Sequence, residues 1–87
     1  DETILHEFGH AYDNTYGITT GNYNISVLTS NQKKVCKHSY KMSNVDSEYC
    51  SSNIQETFAQ LIQFYITSRN AGLVPEEVFN WIDTLPR

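Results

Sequence analysis

The sequence predicts a mainly α-helical fold, with three or four helices and at most one short strand. Three observations carry this. Two long stretches, residues 3–14 and 53–70, repeat apolar side chains at helical spacing. A third, residues 75–85, opens on proline followed by two glutamates and stops before Pro86. Only "YNISV", residues 23–27, alternates enough to suggest a strand.

Each element has local signals. For the first helix, Asp1 or Thr3 can serve as cap, and Gly17 lies just past its end. For the second, Ser52 followed by Gln55 resembles a capping box, and Gly72 is a stop signal. For the third, Pro75 suits the first helical position, and Glu76 and Glu77 face the positive end of the helix dipole. "SNQKKVCKHSY", residues 30–40, reads as a short helix capped by Ser30. "KMSNVDSEYCSS", residues 41–52, reads as loop.

Composition narrows the class. With 87 residues the chain makes one small domain, 1–87, and its 39% hydrophobic and 18% charged content is globular. A chain this short buries only about 60–65% of its unfolded surface, so a metal or a neighbouring segment is expected to support the core. Net charge is −4, and Lys33, Lys34, Lys37 and Lys41 read as a solvated face, so no nucleic acid partner is expected. No apolar run reaches about 18 residues, which predicts no membrane span. No basic-then-apolar leader is visible, and the opening "DETIL" suggests a mature or excised piece. Cys36 and Cys50 read either as one disulfide in an oxidising compartment or as two separate thiols in a reducing one. Their spacing is not that of a zinc ribbon.

The chemistry concentrates in "HEFGH", residues 6–10. At about 100° per residue, His6, Glu7 and His10 share one side of the first helix. Ile4, Leu5, Phe8, Ala11 and Tyr12 form an apolar stripe on the other, which is the expected packing face. Histidines four residues apart can converge on one ion, and Glu7 flanks them where a general base belongs. Gly9 lets another backbone come close. The alternative is a solvent-facing helix edge with two incidental histidines.

A catalytic zinc needs a third ligand and one open position. The metzincin extension is excluded, since Asp13 and Tyr16 stand where glycine and histidine belong. His38 is a weaker candidate in a lysine-rich stretch. Glu56 is the better one. It starts a polar stripe with Gln60, Gln63 and Thr67, opposite Ile54, Phe58, Leu61, Ile62, Tyr65 and Ile66. Periodicity leaves open whether that stripe faces water or the histidines.

"HEFGHAYD", followed much later by "YCSSNIQETFAQ", resembles the protease domain of the anthrax lethal factor-like zinc metallopeptidases, with Pro-Pro endopeptidases as more distant cousins. These are gluzincins. The resemblance implies zinc held by His6, His10 and Glu56, Glu7 as general base, and Tyr49 binding the oxyanion. "VPEEVFNWID" resembles the family's closing helix; residues 18–45 match weakly. One departure is Gln60, where the family run ends in an acidic residue. Asp13 reads either as a carboxylate supporting a ligand histidine or as a surface residue at the helix end.

The resemblance further implies a zinc-dependent endopeptidase of a secreted bacterial protein, toxin-like or acting at the surface, with a peptide or protein substrate. The family's substrate-binding sheet precedes the first motif, so the chain is expected to be the C-terminal helical half of a zincin-like domain whose partner is the rest of a longer parent. The rival expectation is an inactive, zinc-retaining interaction domain.

Overall fold

Long helices form where the periodicity is strongest. The computed structural model describes residues 2–21, 23–37 and 46–86. Among them, α1 is Glu2–Tyr16, α2 Ser26–Thr29, α3 Gln32–Cys36, α4 Ser47–Ser52, α5 Ile54–Thr67 and α6 Glu76–Ile82, with a 3-10 turn at Arg69–Ala71. The fold is mainly α, and no strand occurs among the described residues.

Helix α5 is the axis of the core. Every residue from Thr57 to Phe64 is buried, Gln60 and Gln63 included. Its apolar side packs Phe58, Leu61 and Phe64 against Leu28 and Val35 of α2 and α3 and Val78, Phe79 and Ile82 of α6. Phe58 stacks on Tyr12 of α1 at 6.1 Å and meets Trp81 of α6 edge-on at 6.0 Å. The Trp81 indole donates to the Tyr23 carbonyl at 2.6 Å, tying α6 to the segment before α2, and the Tyr12 hydroxyl donates to the Pro86 carbonyl, tying α1 to the segment after α6.

The termini show which signals operate. Asn53, one residue beyond the expected Ser52, caps α5: its side-chain oxygen accepts from the amides of Gln55 and Glu56 at 3.0 and 3.4 Å. Gly17 and Gly72 adopt φ of 63° and 73°, which lets the chain turn after α1 and after the 3-10 turn. Pro75 sits at the N-cap of α6 rather than inside it.

Three expectations are corrected. "YNISV" is not a strand: Asn24 takes a φ of 58°, and residues 26–29 coil into α2 as the Thr29 and Ser30 hydroxyls bond back to the Ser26 carbonyl. Ser30 therefore closes α2 instead of capping α3, whose N-cap position belongs to Asn31. The expected loop contains α4, capped by Asp46, which accepts from the Glu48 amide at 2.8 Å. Residues 41–45 of that stretch lie outside the described residues.

A disulfide joins Cys36 at the end of α3 to Cys50 in α4, with Cα atoms 5.7 Å apart. It answers the open question about the two cysteines. Closing a loop of this length stabilises the fold by about 3 kcal/mol. On the far side, Arg69 lies between Glu76 and Asp83 at 3.3 and 2.9 Å and over the Tyr65 ring at 5.1 Å.

Candidate metal centre

The site begins with a close approach of two backbones. A Cβ on Gly9 of α1 would lie 2.7 Å from the Ala59 Cα and 3.0 Å from its carbonyl oxygen on α5. Two small residues thus let the helices touch. That contact overturns the expected orientation of α1. Among the described residues of α1, His6, Gly9 and Asp13 are buried and form the packing face. The apolar stripe is turned outward instead, with Ile4 66% and Phe8 50% exposed. Tyr12 alone in that stripe packs well, onto Phe58.

The consequence is convergence of three donors. His6 Nε2 lies 3.0 Å from Glu56 Oε1, and His10 Nε2 lies 2.7 Å from Glu56 Oε2. One carboxylate bridges both imidazoles, whose rings are 5.0 Å apart. All three donor atoms lie within 4.8 Å of one another. The side chains are 10%, 25% and 15% exposed, so the group sits in a shallow, mostly desolvated recess. Glu56 is in the first turn of α5, where its charge meets the positive end of the dipole.

This donor set fits zinc. Two imidazole nitrogens and one carboxylate make a known catalytic combination that leaves a position open. Bonds of about 2.0–2.1 Å to a tetrahedral ion separate ligands by about 3.3 Å. The observed spacings are a few tenths of an ångström shorter, as expected of donors hydrogen-bonded to one another. His6 Nδ1 departs from the usual pattern. It is buried without a hydrogen-bond partner among the described residues, whereas a ligand histidine generally donates its second N–H.

The remaining sequence candidates are placed as follows. Glu7 is exposed beside His6 and outside the donor group. Asp13 is neither at the surface nor bonded to a histidine. It is buried, and its two oxygens accept from the Thr19 amide and hydroxyl, each at 2.8 Å, locking the turn after α1. Gln60 is fully buried one turn beyond Glu56. Tyr49 stands on α4 and is 55% exposed, and its hydroxyl makes no hydrogen bond to the donor group among the described residues. His38 lies outside the described residues. Sequence reasoning overlooked Ala59 and Asn53. The Asn53 signal was legible, because an asparagine three residues before a glutamate at a helix start is a capping pattern.

No protein family, curated protein or solved structure matches this chain.

Proposed function

We propose that this chain forms the metal-binding part of a zinc-dependent endopeptidase. The observation that carries the reading is the convergence of His6, His10 and Glu56 from two helices separated by the whole middle of the sequence.

In this reading His6, His10 and Glu56 hold the ion. When bound, zinc provides a nucleophile at neutral pH by lowering the pKa of water to about 7, and it polarises the scissile carbonyl. Glu7, exposed on the same helix face, takes the nucleophile's proton and returns it to the leaving amine. The Asn53 cap fixes the first turn of α5, and with it the Glu56 carboxylate. Tyr49 is the proposed donor to the developing oxyanion, a role that requires its exposed side chain to meet substrate. That exposure also favours the second reading, a domain that retains zinc without turnover. The Cys36–Cys50 disulfide supports an oxidising, extracellular setting. The outward Ile4 and Phe8 support a further domain of a parent protein as partner.

Two measurements test this. Crystals grown with zinc should give an anomalous peak at the zinc edge on His6, His10 and Glu56. Glu7→Gln should retain zinc and lower peptide hydrolysis by at least about 100-fold. A peak on other residues would overturn the site. A Glu7→Gln variant cleaving at the parent rate would overturn the base.

A further inference from the structure

We propose that the Cys36–Cys50 disulfide, acting through Thr57, positions Glu56, so that zinc affinity depends on the oxidation state of the disulfide. The proposal rests on the zinc reading above. Thr57 directly follows Glu56 and is completely buried. Its hydroxyl lies 2.5 Å from the Cys50 carbonyl and 3.1 Å from the Asn53 carbonyl, and it accepts from Gln32 Nε2 at 3.2 Å. The Cys36 sulfur stands 3.8 Å away. A disulfide sulfur has no proton to give, so the single Thr57 proton goes to the nearest acceptor, Cys50 O.

One side chain therefore reaches both ends of the disulfide and the helix turn that presents Glu56. That turn needs outside support, because the first amides of a helix have no partners within it. Asn53 satisfies two of them, and Thr57 ties the turn to α3 and α4. The disulfide in turn holds α3 and α4 together beneath it. A dithiol opens the bond through a mixed disulfide. Two electrons and two protons pass to Cys36 and Cys50, giving two thiols, while the reagent's own thiols become a disulfide. The Cys50 carbonyl is then released to move with α4, and Glu56 loses its fixed position relative to α1. Thr57 and the disulfide are positioning elements and touch no ligand themselves.

The test compares zinc affinity of the oxidised chain, measured by competition with a chromophoric chelator, with that of three altered forms. These are the chain reduced by a phosphine that is then removed, the double variant Cys36→Ala with Cys50→Ala, and oxidised Thr57→Val. The double variant removes thiols that are themselves able to bind zinc. Far-UV circular dichroism is recorded on every sample. The expected result is affinity lowered about 10–100-fold in all three, with helical content kept, and recovery toward the parent in Thr57→Ser. Affinity unchanged in the double variant, or in Thr57→Val, overturns the proposal. If reduction melts the helices, the double variant and the oxidised Thr57→Val sample decide together. If the oxidised parent binds no zinc, the metal reading itself fails, an outcome distinct from equal binding by all forms.

Discussion

Replacing Gly9 with alanine tests the contact on which the donor group depends. The added methyl would stand 2.7 Å from the Ala59 Cα, and ordinary contact begins at 3.4 Å, so α1 and α5 must part by about 0.7 Å. The obstacle is backbone and cannot rotate away. Overpacking of this kind costs about 1–3 kcal/mol, and alanine's better helix propensity returns about 1 kcal/mol. A net loss of up to about 2 kcal/mol lowers Tm by as much as about 16 °C in a domain of this size. The effect on the site is larger in proportion. His6 and His10 flank Gly9, and binding constellations tolerate displacements of only about 0.5 Å. Zinc affinity should fall at least about tenfold. Chelator competition reads the affinity, and differential scanning calorimetry reads Tm. A Gly9→Ala chain with unchanged zinc affinity and equal or higher Tm would refute the argument, because helix propensity would then outweigh a clash that does not exist.

Two further outcomes are expected. Zinc at about 100 times its dissociation constant should stabilise the chain by about 2.7 kcal/mol, raising Tm by about 10–20 °C, and a chelator should reverse the shift in a calorimeter. An unchanged Tm at saturating zinc would argue against a specific site. Asp13→Ala removes the acceptor for the Thr19 amide and hydroxyl and should cost about 1.5–3 kcal/mol in denaturant unfolding. Its zinc affinity should stay within about threefold of the parent, against the 10–100-fold expected if Asp13 supported a ligand histidine.

How much was legible in the sequence depends on element length. Helices α1 and α5 run 15 and 14 residues, long enough for apolar spacing to reveal them. Helices α2 and α4 have 4 and 6 residues, too few turns for any period to show, and local hydroxyl and Asp46 contacts decide them instead. The pairing of "HEFGH" with Glu56 was an implication of the resemblance to the lethal factor-like metallopeptidases; helical periodicity alone left Glu56 facing either water or the histidines. The packing face of α1 was not legible. Hydrophobicity pointed to Ile4, Leu5 and Phe8, yet the partner helix presents Ala59 beside a polar stripe, and only Gly9 can approach it closely. Asp13 misled for a related reason: its partner, Thr19, lies across a turn whose path a helical wheel does not describe.

The sulfur bridge has one more consequence, for the chain's covalent connectivity. Cys36 and Cys50 close a ring that contains Lys37 and Lys41, both substrates for trypsin-like enzymes. A cut after either lysine adds one water and releases no fragment. His6 and His10 would then belong to one polypeptide and Glu56 to another, joined only through sulfur. The His6, His10 and Glu56 group can therefore stay together in a two-chain species for as long as the bridge stays oxidised, and the nicked molecule comes apart into two halves only once a reductant opens the bridge.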